Sequence, residues 1–268
     1  MAYELGVLGA GHLAGAVLKG AFEHGVLEPG SIIVADHHAG RREHFAGMGC
    51  AVAEQSRGLR VAPRILCAVR PQEFAAAAAE VGPLDEAHLV ISVMAGIDSA
   101  TIQSALGGEC RVIRTMPNTG AMLGCSMTAI SPGPGARQPD IAFVDSLFDS
   151  IGRTVDIDES LLSAATAVSG SGPGWVYLLA SAMVDAAVEV GFDPGTADLM
   201  TRQTILAAAR CMAEGEATVA TLLQGIASKG GTTEAGLSAM GEHGFEEAVR
   251  AGIIAARDRG DALGATGQ

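Results

Sequence analysis

Tyr3-Glu4-Leu5-Gly6-Val7-Leu8-Gly9-Ala10-Gly11-His12-Leu13-Ala14 decides the fold of this chain. An apolar run ends in a G-x-G-x-x-A turn and passes at once into a helix-like segment. In such a turn the first glycine permits the tight bend and the second lets a pyrophosphate approach the backbone. The small sixth residue lets the helix pack closely on its strand. The same letters can mark a plain glycine turn, and alone they are a weak signal. Their place between a strand and a helix favours dinucleotide binding, with Gly9, Gly11, His12 and Leu13 as the candidate residues.

Working outward, β-branched runs at 3–8, 31–35, 65–69, 89–93, 111–114, 127–131 and 154–157 read as strands. Between them, 13–24, 41–48, 72–81, 98–105 and 142–150 read as helices. This alternation predicts an α/β region over residues 1–158, a Rossmann-type doubly wound sheet that is mostly parallel and has helices on both faces. From residue 159 the strand signals vanish. Ala-, Leu- and Met-rich segments at 174–190, 196–214 and 233–259 predict an all-α region over 159–268, whose last residues, 260–268, have little to pack and are expected to fray.

The composition narrows the function. At 268 residues and 49% apolar content the chain can hold two cores. A formal net charge of −13 opposes non-specific binding to nucleic acid or to an anionic membrane, so neither is expected as a partner. Five cysteines, odd in number and without C-x-x-C spacing, point to reduced thiols in a cytoplasm and to no metal site. No signal-peptide pattern is read at the start. The longest apolar stretch, 176–184, falls short of the roughly 18 to 20 residues that span a bilayer.

The second strand ends at Asp36, followed by His37, His38, Arg41 and Arg42. A carboxylate here would bind a ribose 2′-OH and favour NAD, whereas the arginines would neutralise a 2′-phosphate and favour NADP; a solvated helix start is an equal reading of the arginines. Three more strand ends follow, at Val69-Arg70-Pro71, Ala95-Gly96 and Asn118-Thr119. Parallel sheets bind ligands beyond such ends, and in series these turns read as a cofactor trough, with Asn118 toward the nicotinamide.

Far along the chain, Ser228-Lys229-Gly230-Gly231-Thr232-Thr233-Glu234 joins two helix-like runs. Glycines allow close backbone approach, and a helix start adds free N–H groups and a positive dipole end, which together make a carboxylate cradle. A Gly-Gly helix start capped by Thr is the plainer reading.

The motif series resembles that of pyrroline-5-carboxylate reductase. The likeness rests on the G-x-G-x-x-A, Val-Arg-Pro at 69–71, Arg-Thr-Met-Pro-Asn-Thr at 114–119, Ser-Gly-Ser-Gly-Pro at 169–173 and Ser-Lys-Gly-Gly-Thr-Thr at 228–233, in that order over nearly the whole chain. The resemblance implies reduction of 1-pyrroline-5-carboxylate to L-proline by NADPH or NADH. It also implies an obligate homodimer, often built further into rings, with interlocked helical domains. Carried over to this sequence, Ser228 and Gly230, Gly231, Thr232 and Thr233 would hold the substrate carboxylate, the Thr233 hydroxyl would face the ring nitrogen as the catalytic group, and Glu216 would help orient the loop. Departures are Arg70 for a more usual Lys, Gly120 for Pro, Gly174-Trp175 for Ala-Tyr or Ala-Phe, Ser181 for Glu and Lys229 for Pro.

A carboxylated cyclic imine needs an anion site, a hydrogen bond to its nitrogen and a closely held nicotinamide; as an iminium it is already electrophilic and needs no strong acid. The alternatives are a reductase of a related cyclic imine in a specialised pathway, a relative acting on β-hydroxy acids, and a non-catalytic nucleotide-binding paralogue. The second would carry a catalytic Lys on its long helix, and 174–190 has none. That helix is apolar almost all round, which predicts burial by a partner subunit.

Overall fold

Alternate residues of the N-terminal strands divide between two cores, and this division builds the sheet. The computed structural model describes residues 3–266. The strands are β1 (Leu5–Leu8), β2 (Ile32–Ala35), β3 (Ala51–Val52), β4 (Arg64–Cys67), β5 (Leu89–Ser92), β6 (Arg111–Met116), β7 (Ser126–Pro132) and β8 (Gly152–Asp156). Their order is β3-β2-β1-β4-β5-β6-β7-β8, parallel throughout except for the β6–β7 pair.

The helices of this part are α1 (His12–Glu23), α2 (Ala39–Gly47), α3 (Phe74–Val81), α4 (Ser99–Ala105) and α5 (Gln138–Asp149). Leu5, Val7, Ile32, Val34 and Leu66 join Val17 and Leu18 of α1, Phe45 of α2 and Phe148 of α5 in one core. Leu8, Ile33, Ile65 and Val90 join Phe74 and Val81 of α3 and Ile102 of α4 in the other. Strands covered on both faces read as continuous apolar runs, which is why the sequence announces them. The exception is β3, two residues long and too short to show a period. Helix α5 also starts earlier than its apolar pattern, because Pro139 fits a first turn and the Asp140 carboxylate accepts the Arg137 N–H at 3.0 Å.

Beyond β8 no strand follows among the described residues. The helices are α6 (Leu162–Ala165), α7 (Gly172–Glu189), α8 (Pro194–Glu214), α9 (Val219–Ile226), α10 (Thr232–Glu242) and α11 (Phe245–Thr266), with a π-helical turn at Thr166–Gly170. Two expectations need correction. The run 233–259 is two helices, because Gly244 takes φ +76 and ends the first. Residues 260–266 do not fray but continue α11. A Cβ added at Gly260 would lie 3.1 Å from Ser163, and one at Gly96 would lie 3.3 Å from Leu263, so small residues seat this end of the helix. Residues 267–268 lie outside the described residues.

By compactness the chain forms two units, one comprising residues up to Ser171 with those from Ala255 onward, the other Gly172–Ile254. The first holds the sheet and both cores. In the second only Ala197 and Thr201 are buried, while Tyr177, Leu178, Leu199 and Ile226 stand exposed. No helix among the described residues is long and apolar enough to cross a membrane.

Candidate active site

Strand order reverses beside β1, between β1 and β4, and the turns leaving these strands frame a crevice. Gly9 ends β1 at φ +92, where a Cβ would stand 2.9 Å from the backbone of Ala68 and Val69. The fold itself requires that glycine. Gly11 differs, because a Cβ there would meet nothing within 4 Å. No side chain caps α1, which begins at the next residue, so its first N–H groups lie open beside that space. This is the geometry a pyrophosphate fills, and it fits a dinucleotide. Ala14, fully buried, seats α1 against the sheet.

A cavity of about 580 Å³ opens from this turn, walled by Gly9, Gly11, Asp36, Arg41, Val69 and Arg70. Ser56, Glu73 and Glu80 line it as well. The Glu80 carboxylate accepts the N–H and the hydroxyl of Ser56 at 2.9 and 2.8 Å, which holds its pKa below the usual carboxylate range. Glu73 pairs with Arg70, just beyond Pro71. A second cavity of about 1130 Å³ lies between α1, α2 and the 121–124 turn. His12 faces this one, and Gly11 and Arg41 touch both. Leu13 packs on the core rather than lining either.

Asp36 stands where the cofactor reading places it, but its carboxylate is turned inward with only 2% of the side chain exposed. One oxygen accepts the Ala10 N–H at 2.8 Å and an Arg41 N–H at 3.3 Å; the other accepts the His38 N–H at 2.8 Å. Burial pushes its pKa up, and these donors together outweigh burial and leave it lowered.

Ala95, Gly96 and Asn118 follow β5 and β6 along the same sheet edge and line neither cavity. Asn118 is tied on both sides, with Oδ1 accepting the Gly120 N–H at 2.9 Å and Nδ2 donating to the Ser169 carbonyl at 3.0 Å. Gly120 is required locally, since a Cβ there would stand 2.6 Å from the Cys125 carbonyl oxygen.

In the second unit, Gly231 precedes α10, and no side chain caps the helix. Gly230 takes φ +74 and donates its N–H to Glu234 at 2.7 Å, while the Gly231 N–H goes to the Ser228 carbonyl at 2.9 Å. Two of the four backbone N–H groups from Gly230 to Thr233 are therefore engaged, which leaves those of Thr232 and Thr233 at the helix start. Glu216 lies exposed in the break between α8 and α9.

Residues 159–263 match the family model described as pyrroline-5-carboxylate reductase dimerisation. Residues 4–96 match that described as NADP oxidoreductase, coenzyme F420-dependent. A pyrroline-5-carboxylate reductase from Synechocystis is 32% identical, with 98% of this chain and 99% of the relative covered. Pyrroline-5-carboxylate reductase 2 of Bacillus subtilis is 34% identical, with 92% and 90% covered. The chain belongs to the pyrroline-5-carboxylate reductase family. The solved structure of a pyrroline-5-carboxylate reductase from Coxiella burnetii superposes with a TM-score of 0.91 at 26% identity, over 98% of this chain and 99% of that one.

Within this reductase family framework, the sequence reading missed the Ser56, Glu73 and Glu80 wall. Ser56 and Glu80 are 24 residues apart, and neither belongs to a motif. It also left Arg41 undecided, because only the folded turn shows what that guanidinium meets.

Proposed function

We propose that this chain reduces 1-pyrroline-5-carboxylate to L-proline with NAD(P)H. The observation that carries the reading is the uncapped start of α10 behind Gly230-Gly231, an anion site in a chain that also holds the open Gly11 turn. Gly9, Gly11, His12, Leu13, Asp36, Val69, Arg70, Pro71, Ala95, Gly96 and Asn118 form or frame the cofactor trough. Ser228, Gly230 and Gly231 shape the substrate cradle, Thr232 and Thr233 supply its N–H groups, and Glu216 orients the loop. When bound, the reduced nicotinamide supplies the hydride. The cradle orients the substrate carboxylate, and the Thr233 hydroxyl hydrogen-bonds the ring nitrogen. The substrate reacts as its iminium, with the proton already on the ring nitrogen; as the imine carbon gains its new C–H bond, the C=N π pair becomes the nitrogen lone pair, and the nitrogen ends as a secondary amine. The working unit is a homodimer, supported by the exposed apolar residues of α7 to α9, and the unpaired cysteines suit a cytoplasmic setting.

The test is oxidation of NADPH and of NADH followed on addition of 1-pyrroline-5-carboxylate. Turnover with the five-membered ring is expected. Turnover only with a six-membered cyclic imine would move the chain to the related-imine reading, and none with either would overturn the proposal.

A further inference from the structure

The Ser-Gly-Ser-Gly-Pro stretch at 169–173 supplies no group to the trough or to the cradle, yet it is tied to the exit of β6. In an α-helix the Ser169 carbonyl would accept the N–H of residue 173, and Pro173 has none. The chain turns here through a π-helical turn, in which the Ser171 N–H reaches back to the Thr166 carbonyl at 2.7 Å. Asn118 Nδ2 donates to the Ser169 carbonyl at 3.0 Å. Earlier in the same segment, the Glu159 carboxylate accepts Arg114 Nη1 at 3.0 Å and the Ser99 N–H at 2.7 Å. Between these ties, Met116 shares an apolar cluster with Leu162 and Ala165. Arg114, Met116 and Asn118 are alternate residues of extended chain, with Asn118 at φ −119 and ψ −179, and so present one face. Residues 159–169 meet that face in the same order. A buried ion pair is weak evidence for stability, and this one is incompletely satisfied, since Arg114 Nε is buried without a protein partner among the described residues. What the pair secures is register.

We propose that the segment 159–173 is a brace that sets the exit of β6, with Glu159 and Ser169 as positioning residues and Pro173 as the residue that frees the Ser169 carbonyl for Asn118. The assignment deepens the cofactor-trough reading and rests on it. The cavity beside Asp36 and Arg41 lies at the end of β2, on one side of β1, whereas β5 and β6 lie on the other side, beyond β4. The brace therefore acts on the nicotinamide half of the trough and leaves the adenosine half alone. Ser99 opens α4 just after Ala95-Gly96, so the Glu159 carboxylate fixes that turn and β6 together. A misplacement of about 1 Å at a reacting centre can cost about a hundredfold in rate. A brace that removes slack from these two turns serves the chemistry without touching the ligand.

The test is calorimetric titration with NADPH and with 2′-phospho-ADP-ribose, which lacks the nicotinamide. Pro173→Ala supplies the missing N–H, which competes for the Ser169 carbonyl. It should melt no lower than the native chain, bind NADPH about tenfold more weakly and bind 2′-phospho-ADP-ribose as the native chain does. Gly174→Ala, whose added methyl meets nothing within 4 Å, raises helix propensity without adding that N–H and should match the native chain with both ligands. Asn118→Asp breaks the same bond, so combining it with Pro173→Ala should lose no more NADPH affinity than Asn118→Asp alone. Should Pro173→Ala fail to fold, Arg114→Met with Glu159→Leu removes the other tie, replaces the ion pair by apolar side chains and should show the same selective loss. Equal losses for the two ligands, no loss in either tie variant, or additive losses in the combined variant would overturn the brace. A native chain that binds neither ligand would overturn the trough and the brace together. The titrations need no imine, so a selective loss without imine reduction would support the brace while refuting the proposed activity.

Discussion

The sheet-bearing unit and the helical unit meet the same demand, burial of apolar surface, in opposite ways. In the first, every central strand is covered on both faces by its own helices, and residues such as Leu5, Val7, Leu66 and Ile91 are fully enclosed. In the second, Gly172–Ile254 contains two buried residues, and α7 presents Val176, Tyr177 and Leu178 outward. The sequences differ accordingly. The strands show apolar runs bounded by turns, whereas α7 is apolar around its circumference, a pattern that suits a helix buried on all sides. The lesson is that one unit carries its own core and the other, in the proposed homodimer, is half of one.

The largest effect should come from breaking that half-core. Leu178→Glu sits at a site 69% exposed in the single chain, where a surface substitution would cost within about 0.5 kcal/mol. If a second copy covers it, the buried charge should cost about 3 kcal/mol or more and dissociate the assembly, read by light scattering and thermal unfolding. A variant as stable and as large as the native protein would erase the contrast between the units.

Next in size is Thr233→Ala, which tests whether the helical unit contributes chemistry as well as assembly. Loss of its hydroxyl contact should remove about 1.5 to 3 kcal/mol of transition-state binding, or about one to two decades in kcat/KM, with cofactor affinity unchanged.

The sheet unit can be sharpened with its two glycines. Gly9→Ala meets backbone at 2.9 Å and a positive φ, and should destabilise the protein by about 1 to 3 kcal/mol. Gly11→Ala meets nothing and should leave the melting temperature in place while weakening NADPH binding in a titration. Equal effects at the two positions would contradict their division into one structural and one ligand-facing glycine.

The smallest effect concerns acid. Because the folded pKa of Asp36 is depressed, its contribution is fully present above the unfolded value of about 3.9 and is lost as pH falls through the folded value. Asp36→Asn should therefore lower stability at neutral pH and flatten its decline below pH 4, measured by denaturant unfolding across that range.

The sheet and the two glycine turns were legible because burial and backbone geometry act on neighbouring residues. What could not be read depended on partners far apart in sequence. The inward turn of Asp36 depends on Ala10, 26 residues away, and the Ser56–Glu80 pair spans 24. The break at Gly244 was hidden because Gly236, Gly241 and Gly252 also lie in this glycine-rich stretch, and only one of the four takes a positive φ. Gly120 looked like a loss of Pro until Cys125, five residues on, showed the space it must leave. The engaged N–H of Gly230 was likewise hidden, since a Glu four residues on reads as an ordinary helix residue.

Light scattering of the purified chain at micromolar concentration tests most directly whether the helical unit is half of a shared core. The account predicts a particle of at least twice the chain mass that persists on dilution for as long as the protein remains folded. A folded monomer with a cooperative melting transition would contradict it.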